Sequence, residues 1–366
     1  MKQTKLYSWH QQHNARLIEF GGWLMPVQYS SIIEEYWAVR KKAGLFDICH
    51  MGEITVTGEQ ADEFLQYTMT NDISFMKPGD CLYSVMCYDH GGIVDDLFIY
   101  KIAQRNYLLV VNASNTEKDY QHLNAQKRNY VVTLNNISER TSFISLQGPD
   151  SRSVLAKLAG PEIAKLDYLH FTEGQIAGRA VTVSRTGYTG SLGYEIFYFA
   201  PAGAEQDTTA IWQAIIDQEV IPCGLGARDI LRLEMKYPLY GNDIDQNINP
   251  LEAGLSWAVK MEKNNFAGKD SLEQVKKTGL SHRLVGLEMK NRQIARHGFP
   301  VFNQGEKQIG QITSGTFSPA LSKSIALGYV QTNEAVLGNI LSVEIRGEKC
   351  PATIVKTPFI PSHVRD

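Results

Sequence analysis

The sequence predicts an α+β chain of more than one domain that ends in a small all-β unit. Three observations carry this reading. The chain has 366 residues, enough for two or three domains at about 100–200 residues each. Between positions 51 and 138, helical stretches alternate with short antiparallel strand runs. From about position 280 the texture becomes almost purely strand and turn.

Taken in order, Ser31-Ile32-Ile33-Glu34 has capping-box form, and Ile32, Tyr36 and Val39 continue it as an apolar helical stripe that Gly44 is expected to end. Glu53–Val56 reads as a strand and 60–69 as a helix carrying Ala61, Phe64 and Leu65. Three successive strands are expected at Leu82–Cys87, Leu97–Ile102 and Tyr107–Asn112, joined by Asp89-His90-Gly91-Gly92 and Ala103-Gln104-Arg105-Asn106. A surface helix over 116–127 and a strand over 130–135 close this block. A helix then runs from near Ser151 to Gly160, strands cover 179–185 and 194–199, and helices cover 203–218 and start near Ala227. The final unit shows strand runs at Leu284–Leu287, Ile309–Thr313, Ile325–Val330, Leu341–Ile345 and Ala352–Val355, the pattern of a barrel or sandwich.

Composition excludes several classes. The chain is 43% hydrophobic and 20% charged, ordinary for a globular protein. A net charge of −3 gives no support for a nucleic-acid partner. No apolar run approaches the roughly 18–20 residues that span a bilayer, and the first ten residues lack an apolar signal core, so a cytoplasmic protein is expected. Cys49, Cys81, Cys87, Cys223 and Cys350 contain no C-x-x-C pair and read as reduced, buried thiols. Cys81, Cys87 and His90 match no zinc spacing, so no metal is expected.

The densest chemical signal is Tyr83-Ser84-Val85-Met86-Cys87 followed by Gly91-Gly92-Ile93-Val94-Asp95-Asp96-Leu97. A glycine pair lets another backbone or a ligand approach closely. Strand alternation sends Asp95 and Asp96 to opposite faces, so one of them is expected to point inward. The plain alternative is a hairpin with one solvated and one capping aspartate.

Nucleotide and hydrolase motifs are absent. Gly224-Leu225-Gly226-Ala227-Arg228-Asp229 starts like G-x-G-x-x-G but has Asp at the last glycine, and there is no P-loop, G-x-S-x-G or H-E-x-x-H. Three segments remain. They are Asn71-Asp72-Ile73 leading to Tyr83 and Asp96; Ser184-Arg185-Thr186-Gly187-Tyr188-Thr189-Gly190 continuing to Gly193-Tyr194-Glu195; and Gly224 to Glu234 with Tyr240-Gly241. Singly, each has a structural explanation: loop glycines, a solvated glutamate, an arginine near a helix start.

Together, and in this order, they resemble the T-protein of the glycine cleavage system. The resemblance extends from Phe20-Gly21-Gly22-Trp23-Leu24-Met25-Pro26 through Ala43 to Gly52, Asn249-Pro250-Leu251-Glu252-Ala253-Gly254-Leu255 and Thr313-Ser314-Gly315-Thr316-Phe317-Ser318-Pro319 to Pro358-Phe359. A related folate-binding branch linked to iron–sulfur maintenance carries a K-G-C-Y-x-G-Q-E type motif, which Arg185-Thr186-Gly187-Tyr188-Thr189-Gly190 does not match. Another branch follows a flavin domain, which is not expected here. The chain departs from the family at Ser191-Leu192, where acidic residues are common, and in a few added residues around 201–207.

The resemblance implies a three-domain, cloverleaf-like fold with folate in a central cavity. Residues 1–50 plus 139–275 would form a discontinuous first domain, with parts of 155–191 belonging to it or joining the second. Residues 51–138 would form the inserted folate-binding domain, and 280–366 the C-terminal barrel. It implies aminomethyl transfer from S-aminomethyl-dihydrolipoyl H-protein to tetrahydrofolate, giving 5,10-methylenetetrahydrofolate, ammonia and dihydrolipoyl H-protein, without metal or flavin. A folate nitrogen would attack an iminium-like carbon, which demands positioning and stabilisation of positive charge. Asp96, the second aspartate, would be the catalytic carboxylate. Glu195 would accept the parallel N–H donors of the pterin edge. Tyr83 and Tyr188 would pack or hydrogen-bond around folate, with Met51, Asn112, Arg228 and Tyr240 also lining the cavity. Arg228 would bind a folate oxygen or carboxylate, or hold Glu195. The alternative class is a non-catalytic folate-binding regulatory or maintenance protein.

Overall fold

The computed structural model describes residues 1–201 and 205–366, without the side chains of Asn129 and Glu205. Part of the 201–207 stretch, where added length is expected relative to the family, therefore lies outside the described residues.

Two sheets frame the interior. The first has six strands in the order Phe171–Ile176, Arg179–Ser184, Gly193–Phe199, Thr141–Gln147, Gly44–Asp47, Ile221–Cys223. The second has five, in the order Cys81–Cys87, Ile93–Ala103, Asn106–Val111, Gly52–Thr57, Thr133–Asn136. They meet over a shared apolar cluster. Phe46, Phe143 and Phe197 come from the first sheet, with Ile48 just past its Gly44–Asp47 strand, Cys81, Tyr100, Leu108 and Val110 from the second, and Ala227, Ile230 and Leu231 from the helix Leu225–Glu234. Burial of such side chains contributes about 1.5–3 kcal/mol each and fixes how the sheets face one another. The second sheet's other face packs Phe64 and Leu65 from the helix Ala61–Thr68 and Leu123 from the helix Thr116–Gln126.

The C-terminal strands His282–Met289, Pro300–Phe302, Gln308–Ser318, Lys323–Gln331, Ile340–Ile345 and Glu348–Val355 form a closed barrel. Closure removes the unpaired edges that an open sheet of this size would expose. The fold is thus α+β with a C-terminal β-barrel, the class read from the sequence. The Pro300–Phe302 strand escapes that reading because it is short and begins with proline, a residue without a backbone N–H.

Local signals explain most boundaries. Ser31 Oγ accepts the Glu34 N–H at 3.2 Å and starts the helix Ile32–Lys41. Gly44 does not cap that helix. It opens a buried strand, where a Cβ would lie 2.5 Å from Val39 Cγ2 and 2.7 Å from Cys223 Sγ. The strand expected to begin at Leu97 begins at Ile93, so both aspartates lie inside the ladder, with Val85 opposite Asp96 and Met86 opposite Asp95. A bulge between Met86 and Cys87 sets that register. In the turn, Gly91 has φ +86°, and a Cβ on Gly92 would strike the Gln246 carbonyl oxygen at 1.8 Å. The close approach expected of the glycine pair is therefore made by backbone from the 240–268 segment. That segment packs Ile244, Ala253, Leu255 and Phe266 against Val85, Cys87 and Ile93.

Candidate active site

Tyr83 and Asp96 come from adjacent strands and lie on the same side of the pleat. The Tyr83 hydroxyl donates to Asp96 Oδ2 at 2.9 Å. Asn112, one residue beyond the next strand, turns its amide back toward both aspartates. Its Nδ2 donates to Asp96 Oδ1 at 2.9 Å and to Asp95 Oδ1 at 2.8 Å. The Asn112 backbone N–H donates to Asp95 Oδ2 at 3.0 Å, and Asn115 Nδ2 to Asp95 Oδ1 at 2.6 Å. The two carboxylates do take opposite faces, but both are enclosed. Asp95 is completely buried toward the helix Thr116–Gln126, whereas Asp96 is partly buried on the Tyr83 side. The solvated aspartate of the plain hairpin alternative does not occur.

Burial, reinforced by the Asp95 charge, pushes the Asp96 carboxyl up to about 7, although Tyr83 and Asn112 oppose the shift by donating hydrogen bonds. A carboxylate so poised can exchange a proton near neutral pH.

The facing wall comes from the first sheet and the helix Leu225–Glu234. Thr186 donates to Glu195 Oε2 at 2.5 Å. Glu195 Oε1 takes no hydrogen bond among the described residues. Burial raises the Glu195 carboxyl, while Thr186 and the Arg228 charge lower it. Arg228 lies over the Tyr188 ring, 4.7 Å from its centroid. Its Nη1 is buried and has no hydrogen-bond partner. Tyr188 donates its hydroxyl to the Pro238 carbonyl and stacks on Tyr237. Asp96 and Arg228 both act on Tyr188 electrostatically, and Tyr188 acts on Tyr83, so the two groups of residues share Tyr188 as a neighbour.

The structure therefore brings together Tyr83, Asp96, Asn112, Tyr188, Glu195 and Arg228. Met51 and Tyr240 sit further out. Met51 is half-buried against the apolar cluster between the sheets. Tyr240 donates to the Ile93 carbonyl at 3.1 Å and stands under Lys118, whose Nζ is 3.9 Å from its ring centroid. Sequence reasoning missed Trp257, 57% exposed, which stacks on Tyr83 at 5.1 Å. It also missed Thr186 as the partner of Glu195 and Asn115 as a second anchor of Asp95. The i+3 spacing of Asn112 and Asn115 was a usable signal; nothing near Trp257 was.

An orphaned guanidinium N–H and an open carboxylate oxygen are each costly when buried unless a ligand completes them. The pair fits a polar heterocycle that presents N–H donors next to an oxygen acceptor. Two open clefts of about 480 and 620 Å³ lie elsewhere, one beside Tyr67 and Tyr130, the other between Glu252 and the barrel. Neither includes Asp96, Glu195 or Arg228, so the convergence of buried charged groups locates the site better than surface concavity. No group of His, Cys, Asp and Glu suited to holding a metal occurs among the described residues.

Fold and site together define an α+β protein with a buried acid, a second buried carboxylate and an unpartnered arginine gathered around Tyr188. The comparisons narrow the class. The GCVT N-terminal domain model matches residues 6–263, and the glycine cleavage T-protein C-terminal barrel domain model matches 282–360. An aminomethyltransferase of Halothermothrix orenii is 49% identical over 98% of this chain and 100% of its own. One from Geobacillus kaustophilus is 47% identical, covering 98% of each chain. The crystal structure of the glycine cleavage system aminomethyltransferase T from Bartonella henselae superposes with a TM-score of 0.93 at 33% identity, over 100% of this chain and 99% of that one. The chain belongs to the glycine cleavage T-protein family and has the aminomethyltransferase fold and activity.

Proposed function

We propose that this enzyme transfers the aminomethyl carbon carried on the dihydrolipoyl arm of H-protein to tetrahydrofolate, releasing ammonia and leaving 5,10-methylenetetrahydrofolate and dihydrolipoyl H-protein. The observation that carries the reading is a buried Asp96 held by Tyr83 and Asn112, sharing the neighbourhood of Tyr188 with the unpartnered Arg228 Nη1.

Tetrahydrofolate supplies the accepting nitrogens, and its pterin edge offers the N–H donors and oxygen that Glu195 and Arg228 await. Glu195 Oε1 accepts from that edge while Thr186 holds Oε2. Arg228 is itself oriented by the Tyr188 ring and donates to the oxygen. Tyr83 and Tyr188 flank the ligand, with Met51 and Tyr240 at the periphery. Asp96, as carboxylate, stabilises positive charge growing at the transferred carbon and takes up a proton as the carbon changes hands. Tyr83 and Asn112 each occupy one Asp96 oxygen, so the carboxylate is preorganised rather than free to rotate. The partner enters transiently, because its arm must leave after each turnover.

No helix among the described residues is long and apolar enough to cross a membrane; a cytoplasmic location is part of the same proposal. The test is turnover with aminomethyl-loaded H-protein. Ammonia and 5,10-methylenetetrahydrofolate should form in equal amounts and only when tetrahydrofolate is present. Folate binding without turnover would instead establish the non-catalytic class.

A further inference from the structure

Behind Asp96, on the other face of the same strand, lies a buried acid that the reading above does not use. Asp119, in the helix Thr116–Gln126, is 0% exposed, and neither of its oxygens has a hydrogen-bond donor. Asn115, one turn before it in the chain, donates to Asp95 Oδ1 at 2.6 Å, and Asp95 is the acid that raises the Asp119 carboxyl most after burial. Lys118 does not neutralise it well. The Lys118 Nζ is 3.9 Å from Asp119 Oδ1, beyond a hydrogen bond, and donates to the Val94 carbonyl at 2.5 Å.

Two neighbouring carboxylates that are both buried, one of them without any donor, cannot both stay ionised. Asp95 is the member built to carry the charge. It accepts from the Asn112 N–H, the Asn112 amide and the Asn115 amide. A carboxylate can accept about four donors, so Asp95 has room for one more. Asp119 accepts from none, and a neutral carboxyl is what its surroundings tolerate. Burial and the Asp95 charge both push its carboxyl well above the usual range, with Lys118 opposing weakly.

We propose that Asp119 is a positioning residue for the transfer reaction: it stays protonated, donates its O–H to Asp95, and through Asp95 and Asn112 fixes the orientation and electrostatic setting of Asp96. The inference rests on Asp96 being the working carboxylate. The connection is short. One Asn112 amide nitrogen bridges Asp95 and Asp96, so any rotation of Asp95 disturbs the donor that orients Asp96. The groups that act on Asp119 are Asp95 and Asp96 from the strand Ile93–Ala103, Lys118 from its own helix, Tyr88 from the turn before that strand, and Tyr240 from the 240–268 segment; His122, one turn on, answers to Asp89 and Lys118 instead. The strands Gly52–Thr57 and Thr133–Asn136 contribute Ile54, Val56 and Leu134 to this core, all apolar.

Two substitutions and one spectrum test it. Asp119→Asn keeps an N–H donor for Asp95 and is also neutral. It should hold kcat within about threefold and leave the acidic limb of the kcat/KM pH profile in place. Asp119→Leu removes the donor at similar size. It should lower kcat by about tenfold or more with little change in the KM for tetrahydrofolate, and the Asn variant should count as its rescue. If Asp119 were ionised, Asp119→Asn would delete a negative charge near Asp96 and move the acidic limb to lower pH; that result overturns the proposal. So does a folded Asp119→Leu protein with wild-type kcat. Should Asp119→Leu fail to fold, the infrared difference between wild type and Asp119→Asn at neutral pH decides. A protonated-carboxyl C=O band in the wild type supports the proposal, and its absence overturns it. That arm is independent of what Asp96 does, whereas a fully active Asp96→Asn protein would overturn the underlying reading alone.

Discussion

At the residue scale, Asp96 trades stability for reactivity. Its carboxyl is raised to about 7 by burial and by Asp95. In the unfolded chain it ionises near pH 3.9. A raised carboxyl makes the folded state bind the proton more tightly than the unfolded one. Its contribution to stability is therefore greatest below about pH 4 and declines as pH rises to about 7. Asp96→Asn removes that penalty. The variant should unfold at a higher temperature than wild type at pH 8, by the equivalent of about 1–3 kcal/mol, with a smaller difference at pH 5. Paired thermal melts at the two pH values check this; equal gains at both would show that ionisation of Asp96 is not the cost. The same group sets activity. As the working form is the carboxylate, kcat/KM should fall as pH drops below about 7. Glu195→Gln keeps one acceptor but loses the charge that Thr186 and Arg228 surround, and should weaken tetrahydrofolate binding by about 1–3 kcal/mol with little change in melting temperature. Unchanged affinity by calorimetric titration would remove Glu195 from the ligand edge.

At the element scale, the helix Leu225–Glu234 ties the site to the barrel. Arg228 faces Tyr188, while one turn later Arg232 pairs with Asp243 and donates to Ser314 Oγ at 2.8 Å. Asp243 also accepts from Ser314 at 2.8 Å and Thr313 at 2.5 Å, both on the barrel strand Gln308–Ser318. At the helix end, Glu234 accepts from Arg40 at 2.6 Å and from Ser318 at 2.5 Å. These groups are buried, so breaking one side leaves a stranded charge. Arg232→Met should cost about 3–5 kcal/mol because Asp243 loses its counter-charge. Denaturant unfolding would measure it, and a loss under 1 kcal/mol would mean the barrel is held by apolar contact alone.

The whole molecule shows where sequence reading succeeds. Patterns local in sequence were legible: the Ser31 cap, the helix ending at Gly160, five of the six barrel strands, and the Gly-Gly-Asp-Asp turn. Features set by distant backbone were not. Gly44 looked like a helix cap because Cys223, which packs against it and makes it a buried strand residue, lies far away in the chain. The helix Lys269–Thr278 buries only Leu272 and so shows almost no apolar stripe. Strand Phe171–Ile176 is an edge strand with polar residues on both faces. The grouping of Asp96, Glu195 and Arg228 required the resemblance, since nothing in their spacing alone brings three separate segments together. At this scale the carrier protein matters as well. Docking energy from H-protein is unavailable to a small dihydrolipoamide donor. Transfer from loaded H-protein should exceed that from the small donor by more than about tenfold in kcat/KM at fixed tetrahydrofolate; equal values would show that the carrier contributes nothing to recognition.

The central claim is that the Asp96 carboxylate drives the transfer. Single-turnover transfer from loaded H-protein to saturating tetrahydrofolate, wild type against Asp96→Asn at pH 8, tests it most directly, with tetrahydrofolate affinity measured on the same preparations. The account predicts a rate loss of about 10²–10⁴-fold with affinity changed by no more than a few-fold. A folded Asp96→Asn protein that transfers at the wild-type rate would contradict it.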